Sequence, residues 1–156
     1  MTVRRFRSYV PTRPSFAKRA AYEVLHGVRF ASRLDRHADA ILLVAPAMFT
    51  AAVARLRMAL WRSRPPTVLW IQDLYSAGVA ETPGLKGRVA GSLVGWVESW
   101  LMRSVDQVIV IHERFAGYID RHMDVSPANV RVIRNWTHVE AATQAEVEAM
   151  RETLGW

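Results

Sequence analysis

The stretch covering residues 67–76 places polar side chains directly after a run of apolar ones. Val68–Ile71 runs on without alternation, which is typical of a central strand in a parallel sheet covered on both faces. Gln72 and Asp73 follow at once, and Tyr75 lies in the next loop. Ligands of open α/β sheets bind beyond the carboxyl ends of the strands. Asp73 is therefore the first candidate for a group that orients a substrate hydroxyl or accepts its proton.

The role of Asp73 has an alternative explanation in local structure. The Asp73 carboxylate can instead cap the loop predicted over residues 74–84. Gln72 can donate and accept hydrogen bonds but cannot act as a base, and the Tyr75 ring can stack on a bound ligand. Trp70 is expected in the core. We therefore predict Gln72 and Tyr75 as substrate-binding residues beside Asp73.

A second polar pair, His112 and Glu113, follows the apolar run 107–111. Because parallel strands end at the same edge of a sheet, both side chains are predicted to line the same cleft. A glutamate at the start of a helix is equally well explained by the helix dipole. The five histidines show no H-x-H or H-x-x-x-H pairing, and no metal site is predicted.

Alternating apolar runs and helical patterns must position these residues. Strands are predicted over 40–44, 67–71, 107–111 and 130–133, and helices over about 15–36, 49–62, 85–103 and 114–122. A further helix is capped by Thr143, and residues 3–10 are predicted to form a short strand or extended arm. This order predicts a Rossmann-like α/β fold with a mainly parallel sheet flanked by helices.

Charge is distributed unevenly along the 156 residues. The net charge is +7, with 13 of the 21 basic side chains in residues 1–66. Such a front end favours an anionic partner: a membrane surface, a phosphate or a nucleic acid. The helix over 15–36 is either a packed helix with a solvated basic side or a basic amphipathic helix on anionic lipid. No recognised nucleic-acid motif occurs, which makes nucleic acid the weakest of the three.

Several functional classes are disfavoured by composition. There is no cysteine, so thiol catalysis and disulfides are excluded and a reducing, cytoplasmic compartment is expected. The residues 85–103 contain Arg88 and Glu98, which interrupt the apolar pattern, and no membrane-spanning helix is predicted. Glu98 is expected to form an ion pair on its helix. Neither G-x-G-x-x-G nor G-x-x-x-x-G-K occurs, and no cofactor is predicted.

The series 39–46, 68–75, 106–112 and 132–136, together with Glu98, resembles the amino-terminal domain of GT-B glycosyltransferases of the family 4 type. The resemblance implies a retaining, metal-independent transfer from a nucleotide sugar, with Asp73 orienting the acceptor. It also implies that Asn135 shapes an interdomain turn. Many relatives have His at the position of Gln72, and the usual Gly and Asp around the Asn are here Trp136 and His138.

The resemblance divides the chain into two parts. Residues 1–139 are expected to form a partial, acceptor-side Rossmann-like domain, and residues 140–156 a linker helix towards a donor-binding domain that this chain lacks. Glu140 and Glu148 have the spacing of the family's E-x7-E donor signature. They follow no glycine-rich turn or strand, so we expect no such function from them.

The leading hypothesis is a transferase domain that positions a lipid-linked or surface-glycan acceptor for polysaccharide synthesis. A nucleotide-sugar donor would bind only with a second domain, and the chain alone would be inactive. An anionic membrane surface at the cytoplasmic side would hold the basic front end. The alternative is a non-catalytic remnant of a truncated transferase that binds a membrane or a partner. Whether the chain by itself is an enzyme stays open.

Overall fold

The computed structural model describes residues 5, 15–80, 85–135 and 142–156. The strands in this part of the chain are β1 (Ile41–Ala45), β2 (Thr67–Ile71), β3 (Gln107–Val110) and β4 (Val130–Val132). The helices are α1 (Phe16–Ala31), α2 (Met48–Ala59), α3 (Tyr75–Ala80), α4 (Leu85–Ser104), α5 (Glu113–His122) and α6 (Gln144–Leu154), and a 3₁₀ turn covers Pro127–Asn129.

The four strands form one parallel sheet in the order β1-β2-β3-β4. Ala45 is paired with Ile71, Ile71 with Val110, and Val110 with Val132. Each strand is thus followed by a helix and by the next parallel strand, which are repeated βαβ units. The predicted Rossmann-like α/β fold is confirmed.

The two faces of the sheet differ in burial. Leu43, Leu69 and Val108 are buried on one face, whereas Leu42 on the other is 54% exposed. Every crossover steps in the same direction along the sheet, and right-handed crossovers of that kind place their helices on one face. Within the described ranges of the chain, the prediction that β2 belongs to a sheet covered on both faces is therefore wrong. Its alternate side chains, including Trp70, are only half-buried.

The buried face packs against the crossover helices. Met58 of α2, Leu101 of α4 and Ile119 of α5 lie in the same core as the inward strand residues. Burial of each large apolar side chain stabilises the fold by about 1.5–3 kcal/mol, which is the main source of stability of this layer. Because α2, α4 and α5 pack on the sheet in this way, the ends of the segments at its carboxyl edge are held in place by the core.

α1 packs across α2 at a glycine. A Cβ at Gly27 would lie 2.9 Å from Val53 Cβ and 3.1 Å from the Thr50 Cα, closer than packed carbon atoms normally approach. The two helix backbones therefore come together only because position 27 has no side chain. Ser15 is the N-cap of α1, since its side chain accepts a hydrogen bond from the Lys18 N–H.

α1 ends five residues before the predicted boundary. The Ser32 hydroxyl donates to the Arg29 carbonyl at 2.8 Å, and Asp35 accepts a hydrogen bond from the His37 N–H at 2.9 Å. These local side-chain bonds compete with continued helix. α3 occupies part of the predicted 74–84 loop and was missed.

The terminal segments are only partly described. The arm predicted over residues 3–10 lies outside the described residues, apart from Arg5. The cap predicted at Thr143 is confirmed: Thr143 and Glu146 form a reciprocal capping box, and Gly155 ends α6 at φ 68°. Among the helices described here, none combines the length and the apolar character needed to cross a membrane.

Candidate functional site

The carboxyl edge of the sheet brings together the predicted site residues. Asp73 lies two residues beyond Ile71, and His112 lies two residues beyond Val110, which pairs with Ile71. Asn135 follows β4, which pairs with β3, and all the strands are parallel. Residues from three different strand ends therefore share one edge, the position at which open α/β sheets bind ligands.

Asp73 is exposed at this edge, and Gln72 beside it is half-buried. The Asp73 Oδ1 atom accepts a hydrogen bond from the Leu74 N–H at 2.9 Å. This bond is consistent with the capping role considered for Asp73, and it uses one oxygen of the carboxylate. A carboxylate has two oxygens and about four acceptor sites, so one local bond leaves it able to accept a further hydrogen bond from a hydroxyl.

Glu98 fixes the backbone that follows Asp73. Its carboxylate is 2% exposed and accepts hydrogen bonds from the Tyr75 N–H at 2.9 Å, the Ser76 N–H at 3.2 Å and the Ser76 hydroxyl at 2.5 Å. Glu98 therefore caps α3 from the neighbouring helix α4. The prediction of an ion pair on its own helix was wrong within the described chain, because the helix start, not a cation, satisfies this carboxylate.

The Glu98 carboxyl titrates under opposing influences. Burial raises its pKa above the usual range, while the bonds from Ser76 and Tyr75 favour the ionised form. The negative charge of Asp73 raises the pKa of Glu98 further. Burial is the largest of these influences, so the pKa of Glu98 is raised on balance.

The Tyr75 side chain points towards α1 rather than into open solvent. Its hydroxyl donates to Glu23 Oε1 at 2.9 Å and accepts from Arg19 Nη2 at 2.8 Å, and it contacts the Pro46 carbonyl oxygen. Burial, followed by the bond to Glu23, raises the pKa of Tyr75. Its substrate-binding role stays a prediction, and here the hydroxyl serves contacts within the chain. The Tyr75 ring also has contacts within the chain: Phe49 meets it edge to face at 6.5 Å, and Arg19 Cζ lies over it, 5.3 Å from its centroid.

Glu23 is a buried acid near the carboxyl edge of the sheet that the sequence analysis did not identify. It is 4% exposed, bonds to Arg19 at 3.1 Å and Tyr75, and accepts the Phe49 N–H at 3.1 Å through its second oxygen. The Thr50 hydroxyl also donates to the Glu23 carbonyl at 2.8 Å. Glu23 therefore joins α1 to the first turn of α2 and to the start of α3. The available signal was that Glu23 is the only acid in an otherwise basic helix.

The remaining predicted residues lie exposed beside β3 and β4. His112 is the N-cap of α5, and its Nδ1 accepts a hydrogen bond from the Arg114 N–H at 3.0 Å. Glu113 forms an ion pair with Arg134 at 2.7 Å, and that guanidinium lowers the pKa of Glu113. The dipole interpretation of Glu113 and a site role remain compatible, because the carboxylate is at the helix start and also faces solvent.

Asn135 and the two glutamates with E-x7-E spacing, from which no donor function is expected, are the remaining residues named from the sequence. Asn135 is exposed at the end of the described segment 85–135, and the turn that follows it lies outside the described residues. Glu140 is also outside them, whereas Glu148 is exposed on α6 and accepts a hydrogen bond from Gln144 at 3.0 Å. Within the described ranges, no group of three His, Asp or Glu side chains could hold a metal ion.

The site therefore combines a parallel sheet edge, an exposed carboxylate after β2 and a buried carboxylate that fixes it. A family description of the glycosyl transferase 4-like domain matches residues 1–136, most of the chain. The chain belongs to this family. No curated protein sequence matched it significantly. The resemblance noted in the sequence is thereby confirmed at the level of the family, and Asp73, Glu98 and His112 all lie within the matched part of this glycosyl transferase 4-like domain.

Proposed function

We propose that this glycosyl transferase 4-like domain positions the acceptor in a retaining transfer from a nucleotide sugar. The observation that carries the proposal is the exposed Asp73 at the carboxyl end of β2, next to a segment that Glu98 holds by two backbone N–H groups and one serine hydroxyl. An acceptor hydroxyl bonded to the free lone pairs of Asp73 would be held at a fixed point of the sheet edge. Orientation of this kind lowers the entropy cost of the reaction.

The geometry around Asp73 supports orientation of a polyhydroxylated molecule. Gln72 supplies both a donor and an acceptor, and the Glu113 carboxylate and His112 imidazole lie at the neighbouring strand end. Such a row of polar groups along a sheet edge suits a sugar that presents several hydroxyls. We propose that the acceptor is a lipid-linked or cell-surface glycan used in polysaccharide synthesis at the cell envelope.

Proton transfer in this proposal involves Asp73 or the departing phosphate. The acceptor hydroxyl attacks the anomeric carbon, the bond from that carbon to the nucleotide phosphate breaks, and the hydroxyl proton passes to one of these two bases. Gln72 contributes hydrogen bonds only, since an amide does not accept a proton at neutral pH. The donor nucleotide would be held by a second, donor-binding domain, as in the two-domain enzymes that the sequence resembles.

Calorimetric titration of the purified chain tests this division of roles. We expect a lipid-linked or soluble glycan acceptor to bind and nucleotide sugars to bind weakly or not at all. Tight binding of a nucleotide sugar by the chain alone would contradict an acceptor-positioning role. Addition of a donor-binding domain in trans should then produce transfer, whereas persistent inactivity would favour the non-catalytic alternative.

We propose that the chain works peripherally at the cytoplasmic face of the plasma membrane. The supporting observation is the concentration of basic side chains in residues 1–66. Anionic lipids attract such clusters by about 1 kcal/mol per basic side chain near the surface.

A further inference from the structure

The outer side of α4 carries an apolar stripe that faces solvent. Val89, Leu93 and Trp96 are 62%, 63% and 63% exposed. Their spacing of four and three residues puts them on one side of the helix, and Trp100 continues the same line. On the opposite side, Val94, Leu101 and Met102 are buried in the core. One apolar side of α4 thus packs in the core, and a second apolar side is exposed to solvent.

Two arginines lie beside this stripe. Arg88 and Arg103 are both exposed and line a groove of about 570 Å³ that also includes Trp96 and His122. Arg103 lies 3.5 Å from Asp124, an acid of the segment after α5, and both are exposed. A pair at this distance and exposure is weak and leaves the guanidinium able to interact with other anions.

The acidic side chains of α1, α2 and α4 are withdrawn from the surface, whereas α5, whose Tyr118 and His122 line the same groove, exposes Asp120. α1, α2 and α4 contain two acids in total, Glu23 and Glu98, and both are buried as helix caps. In the described part of the chain, the three helices also expose the cations Lys18, Arg57, Arg88 and Arg103. The described surface of these helices therefore presents apolar and basic groups, and the acid recorded at the α4 arginines is Asp124, at 3.5 Å from Arg103.

We infer that the stripe Val89–Leu93–Trp96 on α4 docks on the surface of an anionic lipid bilayer, with Arg88 and Arg103 at the level of the phosphate headgroups. Charge complementarity selects this occupant over a second copy of the positively charged chain. Tryptophan suits the boundary between headgroups and acyl chains because its ring is apolar and its N–H is polar. Aliphatic side chains next to it gain from burial below the headgroups.

This surface deepens the proposed function and rests on it for the location of the acceptor. A lipid-linked glycan lies in the bilayer surface, so a domain that docks through α4 would meet its acceptor without leaving the membrane. The docking itself depends only on the stripe and its arginines, and it can be measured without any transfer reaction.

Vesicle co-sedimentation of the full chain tests the inference. We expect wild type to bind vesicles of phosphatidylcholine with phosphatidylglycerol, and to bind pure phosphatidylcholine much more weakly. Leu93→Glu should lower the partition coefficient by about ten-fold or more. It removes an aliphatic group that would be buried in the bilayer, and it adds a negative charge that the anionic lipid repels. Trp96→Glu should do the same. Met150→Glu on α6, where the side chain is 58% exposed, is the matched control and should stay within about two-fold of wild type.

Three outcomes would overturn the docking surface. One is binding of Leu93→Glu and Trp96→Glu at the wild-type level, and another is equal binding of wild type to both kinds of vesicle. The third is a dimer in sedimentation velocity that Leu93→Glu dissociates without any change in vesicle binding, which would assign the stripe to a second copy. Circular dichroism of each variant verifies that it is folded.

The failure of this inference and that of the proposed function are distinguishable. If Leu93→Glu binds vesicles normally while transfer to a soluble acceptor still depends on Asp73, only the docking surface is wrong. If Leu93→Glu loses vesicle binding while transfer does not depend on Asp73, only the acceptor role is wrong.

Discussion

The backbone N–H of Tyr75 donates a hydrogen bond to Glu98 Oε1 at 2.9 Å, which joins the segment after β2 to the middle of α4. The neighbouring Ser76 N–H and hydroxyl bond to the second oxygen of the same carboxylate. Asp73 lies two residues before Tyr75, so the position of the exposed carboxylate depends on the buried one. This relationship connects the core of the domain to its candidate site.

Removal of the Glu98 carboxylate should destabilise the fold. Glu98→Ala leaves three donors at the start of α3 without their acceptor, and we expect a loss of about 2–4 kcal/mol in the free energy of unfolding. Urea denaturation measures this value. Glu152→Ala, at an exposed position on α6, is the control and should change it by about 0.5 kcal/mol or less. Equal stabilities of the two variants would show that Glu98 does not hold α3.

The raised pKa of Glu98 also predicts a pH dependence of stability. The usual value is 4.5, and burial raises it in the folded state. Between the usual and the raised pKa, the unfolded chain has released a proton that the folded chain retains, so this contribution to stability falls as pH increases. Glu98→Gln lacks it.

The comparison of wild type with Glu98→Gln isolates that contribution. Urea denaturation over a pH series that starts below 4.5 should show wild type losing stability relative to the variant as the pH rises. Other titrating groups are common to both proteins and largely cancel. A difference that stays constant, or that grows in favour of wild type with rising pH, would mean that the pKa of Glu98 is not raised.

The Tyr75 hydroxyl should contribute to stability through the cluster with Glu23 and Arg19. Tyr75→Phe removes the donor to the buried Glu23 carboxylate and should cost about 1–2 kcal/mol. Thermal and urea unfolding measure the change. Tyr22→Phe makes the same chemical change on the half-buried side of α1 and should have little effect. If both variants are as stable as wild type, the cluster is not a stabilising contact.

Close approach of α1 and α2 predicts a strong effect at Gly27. Gly27→Ala places a methyl group against Val53 and the Thr50 backbone, and we expect a loss of about 1–3 kcal/mol. At Gly95, an added Cβ meets Ser76 Cβ at an ordinary 3.5 Å. Gly95→Ala should therefore be neutral or stabilise the helix by up to about 1 kcal/mol. A reversed order of the two stabilities would refute the close packing at Gly27.

Sequence patterns predicted the strands well because their apolar runs are bounded by clear signals. The limits of β2 at Thr67 and Ile71 follow from the proline pair before it and from the polarity change after it. The exposure of Leu42 was not predictable in the same way, since an apolar run does not reveal that all crossovers step in one direction. Topology, a long-range property, decides which face is covered.

The site was predicted only in part for a similar reason. Asp73 could be found because it follows an apolar run, which is a local pattern. Glu23 was missed and Glu98 was noted with the wrong partner, because each acts on a residue far along the chain: Glu23 on Tyr75, and Glu98 on Ser76. Both glutamates also lie in helices where an acid normally indicates a solvated side, and only the tertiary structure shows that they are buried.

The central claim is that Asp73 orients the acceptor, and a transfer assay tests it most directly. The chain, combined with a donor-binding domain, is supplied with nucleotide sugar and acceptor, and kcat/KM is compared for wild type, Asp73→Ala and Asp35→Ala. Asp35 is the matched control, because it is an exposed aspartate that also accepts one local backbone hydrogen bond. We predict that Asp73→Ala lowers kcat/KM by about a hundred-fold or more with the fold intact, and that Asp35→Ala leaves it unchanged. Equal activity of the two variants would contradict the claim and leave Asp73 with its hydrogen bond to Leu74 alone.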